Sequence, residues 1–90
     1  MKTIEFLGED NFQKICSDFS LNQKETEIVR QIIERWDETM KISDREARLN
    51  EKAKIAIEAF RKISPERQER VLGAIVKINL FFAEFSLKRS

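Results

Sequence analysis

From Ser64-Pro65-Glu66 onward runs a segment whose apolar residues leave almost no polar side, and this segment limits the folds open to the whole chain. Ser64 suits a helix N-cap, Pro65 the first helical position where no amide hydrogen is needed, and Glu66 the positive first turn. A helix over about 65–87 follows. At 100° per residue, Val71, Leu72, Ala74, Ile75, Val76, Ile78, Leu80, Phe81, Phe82, Ala83, Phe85 and Leu87 spread over roughly 260° of its circumference. Arg70, Gly73, Lys77, Glu84 and Lys88 mark only a narrow polar stripe. A helix apolar nearly all round has to be surrounded, either by other helices or by a second copy of itself.

The rest of the chain supplies helices, each with a single apolar face. Phe12, Ile15, Cys16 and Phe19 recur at helical spacing, predicting a short helix over about 9–19 with Glu9 and Asp10 at its start. Asn22 and Glu25 have capping-box spacing and open a second helix, 23–41, that carries Ile28, Val29, Ile32, Ile33, Trp36 and Met40 on one side. Ser43 and Glu46 repeat the spacing before a third helix, 44–62, whose expected buried face is Leu49, Ala53, Ala56, Ile57, Phe60 and Ile63. Absorption of Ser43 and Asp44 into one long rod is the alternative; the second capping signal favours a break. Residues 1–7 alternate loosely, compatible with a short edge strand or an extended arm; with no partner strand to pair with, 1–8 read as an extended arm ending at Gly8. With two glycines and one proline in 90 residues, a turn-rich β fold is excluded. The expectation is a single all-α domain, a small bundle of three to four helices with a long, mostly apolar C-terminal helix, completed by dimerisation.

Chemistry-bearing residues are scarce. The chain has no histidine and one cysteine, which removes the commonest general base and any thiolate metal cluster within one chain. Cys16 falls on an apolar helix face and reads as a small buried hydrophobe. Gly8 and Gly73 stand alone, so no phosphate-cradling loop is present. Glu27, Glu34, Asp37 and Glu38 are interleaved with Arg30, Arg35 and Lys41 and read as a solvated face. The chain is therefore not expected to be an enzyme or to carry a cofactor or metal. The longest apolar stretch, Val71 to Phe85, is interrupted by Lys77, Asn79 and Glu84 and is too short to cross a bilayer. A lone cysteine and no signal-peptide pattern point to the cytoplasm.

Two surfaces are candidates for recognition. On the last helix, Val71, Ile75, Ile78, Phe81, Phe82 and Phe85 form the concentrated apolar and aromatic set expected at a dimer or partner interface. Phe81 and Phe82 point about 100° apart, so one packing layer cannot bury both. Asn79 is expected in the same arc, and Gly73 would admit another backbone. On the third helix Arg45, Arg48 and Lys52 lie along one edge as possible phosphate contacts, or as the counterpart of the acidic residues Glu27, Glu34 and Glu38 in a helical hairpin. With a net charge of +1, the chain has no overall field drawing it to nucleic acid. The segment Ile63-Ser64-Pro65-Glu66-Arg67-Gln68-Glu69-Arg70-Val71-Leu72, continuing to Ile75, resembles the terminal helix of small phage-type helix-turn-helix repressors. That resemblance covers 63–75 and implies a dimerisation helix; a short helix, Gly-containing turn and second short helix are not readable upstream. The expected function is that of a small protein-interaction module, a regulator, adaptor or inhibitor acting as a homodimer. The alternative is a transcriptional regulator that binds nucleic acid through the basic stripe.

Overall fold

The computed structural model describes residues 2–89, with side chains through Glu84. Its elements are α1 (Thr3–Leu7), α2 (Glu9–Asp18), α3 (Gln23–Glu38), a 3-10 turn (Thr39–Lys41), α4 (Arg45–Phe60) and α5 (Pro65–Arg89). The fold is all-α. Helix α3 is central, touching α1, α4 and α5, while α2 packs on α5 and α1. The Cα envelope measures 34 × 28 × 16 Å, and its shortest side leaves room for about two helix layers at 8–10 Å between axes. In so thin a domain no helix can be covered on every side.

Thr3–Leu7 form a helix and Gly8 a turn, correcting the extended arm expected over 1–8. The Thr3 amide and hydroxyl both donate to the Asp37 carboxylate, at 2.9 and 2.6 Å. These bonds fasten the first turn of α1 to the end of α3 and satisfy an amide that the short helix leaves open. Phe6 packs edge-on against Phe82 with ring centroids 5.0 Å apart. Gly8, at φ 93°, then turns the chain directly into α2, a conformation that L side chains resist.

Helix α2 buries Phe12, Ile15 and Cys16, as its periodicity predicts. Arg30 of α3 grips Glu9 through both carboxylate oxygens, at 2.8 and 2.6 Å, and lies 4.7 Å from the Phe12 ring centroid. Charge and ring contact thus tie α2 to α3. Helix α3 starts at the Asn22–Glu25 capping box, both arms of which are formed. It buries Ile28, Val29, Ile32 and Ile33, but Met40 lies beyond its end and is 63 % exposed. Glu25 also receives Arg67 of α5, Nε at 2.9 Å and Nη2 at 2.7 Å. The same guanidinium donates to the Ser20 carbonyl at 2.8 Å. One arginine therefore joins the α2–α3 turn, the α3 N-terminus and the first turn of α5.

The break between α3 and α4 is real and lies at Ile42–Asp44. Asp44, one residue later than expected, is the cap, accepting from the Ala47 amide at 2.8 Å. The larger correction concerns which side of α4 is inside. Ile55 is its buried residue, while Leu49 and Ile57, expected in the core, are 52 % and 57 % exposed. The cause is geometric: the Trp36 indole N–H donates to the Lys52 carbonyl at 3.0 Å, and Arg48 donates to the Ile42 carbonyl at 3.2 Å. These contacts turn the 48-52-55-59 side of the helix toward α3.

Candidate functional site

The face of α5 that turns away from the core is the feature around which a function can be built. Its inner side is spent on the fold: Val71, Ala74, Ile75 and Ile78 are buried against α2 and α3 in one cluster with Phe12, Ile15, Val29, Ile32 and Ile33. About half a turn away, Leu72, Val76 and Leu80 repeat at every fourth residue and remain 51 %, 45 % and 63 % exposed. Phe81, at 41 % exposed, extends the patch sideways. With Phe19, Glu69, Gly73, Lys77 and Glu84 they line an open groove of about 590 Å³. Large apolar side chains left in water along a single stripe are uncommon and usually mark an interface.

The expected interface set is thus divided by the fold. Val71, Ile75 and Ile78 lie in the domain's own core, Phe82 is half-buried beside Phe6, and Phe81 is open in the groove. Phe85 belongs to α5, but its side chain lies outside the described residues. The exposed stripe of Leu72, Val76 and Leu80 lies roughly 130° round the helix from Val71, Ile75 and Ile78. Leu72, Val76 and Leu80 take the place that Val71, Ile75 and Ile78 vacate. A sequence signal for this existed. The upstream helices each have one apolar face, and faces used on a shared core cannot also wrap the far side of α5.

Gly73 has a use other than admitting a second backbone. A Cβ there would lie 2.5 Å from Cε1 of Phe19, so the missing side chain makes room for that ring on the helix surface. Phe19 thereby forms the groove's edge. Asn79 is exposed and, with Thr3, Trp36, Asp37 and Lys52, borders a separate, smaller cleft of about 230 Å³.

No family model matches the chain, and no curated protein or solved structure is significantly similar to it.

Elsewhere several of the side chains with chemistry are engaged in the fold. Cys16 is buried, and desolvation raises its thiol above the ordinary value, so the reactive thiolate is disfavoured. Arg30 holds the Glu9 carboxyl down at about 2, and Arg67 does the same for Glu25. Of the acidic residues on α3, Asp37 is committed to Thr3 and Glu27 lies 3.7 Å from Arg30. Among the described residues, no three His, Cys, Asp or Glu side chains are placed to hold a metal ion. In the basic stripe, Arg45 is exposed, whereas Arg48 and Lys52 are half-buried and Arg48 spends a donor on Ile42. Across the α3–α4 contact, Arg35 of α3 meets Glu58 of α4 at 3.7 Å, reversing the charge order expected for the hairpin. No helix among the described residues is long and apolar enough to cross a membrane.

Proposed function

We propose that this protein is a helical protein-interaction module that works as a homodimer, serving as a regulator, adaptor or inhibitor. The carrying observation is the unpartnered stripe of Leu72, Val76, Leu80 and Phe81 on a domain whose net charge is only +1. Burying a half-exposed side chain of this size yields on the order of 1 kcal/mol. Four from each copy supply several kcal/mol toward the cost of association, and so small a net charge adds little repulsion between copies. A two-fold pair is the simplest closed way to bury such a stripe, because each copy then presents and receives the same surface. The buried, unpaired Cys16 suits the cytoplasm, where thiols stay reduced.

Light scattering across a dilution series, on the wild type and on Leu80→Glu, tests the reading. The expected result is a wild-type dimer that dissociates on dilution and a variant that is monomeric with unchanged helical content. A wild type that stays monomeric at millimolar concentration refutes it. Fluorescence anisotropy on a labelled DNA duplex at low and high salt is the companion measurement. Tight binding that falls steeply with salt would return the function to the Arg45, Arg48 and Lys52 stripe.

A further inference from the structure

The geometry points to a specific partner arrangement for the α5 groove. It receives α5 of a second copy, antiparallel, with the two-fold axis passing between Leu80 and Phe81 and Lys77 of each copy facing Glu84 of the other. This rests on the homodimer reading above and adds the register.

The argument begins with the stripe's own symmetry. An antiparallel pair related by a two-fold between residues 80 and 81 places residue 77 of one copy level with residue 84 of the other, and residue 80 level with 81. Leu80, the most exposed member at 63 %, then meets its own copy across the axis. Val76 falls within a turn of Ala83 of the second copy, so a branched side chain packs against a small one. Spacings of four and three along Val76, Leu80 and Ala83 are those that let two helices share a seam.

Charge selects this register from its neighbours. Lys77 and Glu84 both line the groove. They are seven residues apart, two turns along one flank of the seam. In a two-fold antiparallel pair each flank meets its own copy, so like charges coincide unless the axis falls midway between opposite ones. The midpoint of Lys77 and Glu84 lies between Leu80 and Phe81. An axis at Lys77 itself would set the two lysines against each other, and one midway between Glu69 and Glu84 would oppose those two acids. Pairing Glu69 with Lys77 instead would put the axis at Gly73, away from Leu80, so of the registers that oppose unlike charges the Lys77–Glu84 one centres the most exposed leucine. A single helix pair falls toward the low end of specific interfaces, below about 1,200 Å² in total, so association in the micromolar range is expected.

The test is charge exchange, read by sedimentation equilibrium on the full chain. Lys77→Glu alone opposes Glu84 of the second copy twice, and Glu84→Lys alone opposes two lysines. Each is expected to weaken the dimer about tenfold. The double variant K77E/E84K restores it to within about threefold of wild type. Mixing the two single variants gives a heterodimer, since both junctions are then attractive. Lys54→Glu, on the exposed side of α4, makes the same change in net charge as Lys77→Glu and is expected to leave the wild-type constant unaltered. A dimer indifferent to the exchange, or one weakened equally by K54E, overturns the register while leaving the homodimer standing. A wild-type monomer overturns both.

Discussion

Replacing Arg67 by methionine keeps the aliphatic stem and removes the guanidinium that spans Glu25 and the Ser20 carbonyl. Glu25 is buried, its side chain only 7 % exposed, whereas the Arg67 side chain is 30 % exposed. The variant therefore leaves a buried carboxylate with the Asn22 amide as a remaining donor and Arg70 as the remaining nearby cation. The Glu25 carboxyl lies at about 2 against an ordinary 4.5, chiefly through its bond to Arg67. At 1.36 kcal/mol per pH unit that gap caps the stabilisation at about 3 kcal/mol. Water reaching Arg67 screens part of it, which brings the expected loss at pH 7 to about 2 kcal/mol. For a domain of this size that is a fall in Tm of about 10 °C. The sign with pH follows from linkage: a depressed carboxyl stabilises the fold above its unfolded pKa and stops doing so as pH falls through the folded value. Wild type should lose this contribution between about pH 5 and pH 2, and Arg67→Met, left with only the Asn22 amide and Arg70 to lower the carboxyl, should lose much less. Urea denaturation followed by circular dichroism from pH 7 down to pH 3 measures the difference directly, with the Glu9 titration cancelling because both proteins retain it. A gap that stays constant over that range, or is below about 0.5 kcal/mol at pH 7, would refute the reasoning.

Other positions give equally direct expectations. Gly73→Ala gains about 1 kcal/mol of helix propensity but displaces the Phe19 ring, so it should destabilise the wild type and stabilise a Phe19→Ala background; thermal melts of the four-member cycle decide, and one sign in both backgrounds would rule out the ring contact. Ile55→Ala should cost about 2–4 kcal/mol while Ile57→Ala stays within about 0.5 kcal/mol; the reverse order in chemical denaturation would mean that α4 is turned the other way. Asp37→Ala removes both bonds to Thr3 and should cost about 1–2 kcal/mol, with hydrogen exchange quickened first at the amides of α1; loss spread evenly over α3 would contradict the fastening role. Ser20 sits at φ 58° just past α2, so Ser20→Gly should raise stability by about 0.5–1 kcal/mol in the same denaturation assay.

Where the sequence was a reliable guide, one local cause acted alone. The capping box at Asn22 and Glu25, the α3 arc from Ile28 to Ile33 and the apolar face of α2 formed as read, because spacing along a helix dictates which residues share a side; Met40, at the far end of that arc, fell beyond the helix. The stop at Ser64-Pro65 held for the same reason: proline lacks the amide a continuing helix would use. Residues 1–8 were less legible. Their loose alternation matched an extended arm, and what makes a helix of Thr3–Leu7 is a carboxylate 34 positions away.

The candidate surface shows the same boundary between local and tertiary information. That α5 carries more apolar surface than a small domain can cover follows from its composition. Which part stays uncovered depends on the direction from which α2 and α3 approach, and Val71, Ile75 and Ile78 became core while Leu72, Val76 and Leu80 did not. Helix α4 repeats the lesson, since its periodicity offered the Leu49–Ile57 side and a tryptophan N–H from α3 fixed the Ile55 side instead. The sequence by itself determined α2 to α5, their order and most of their ends, all consequences of hydrogen bonds and caps within a few residues. Only the tertiary structure decided the rotation of α4 and α5 about their own axes. When a helix has more apolar sides than neighbours, the burial energies of alternative faces are nearly equal and contacts between distant residues break the tie.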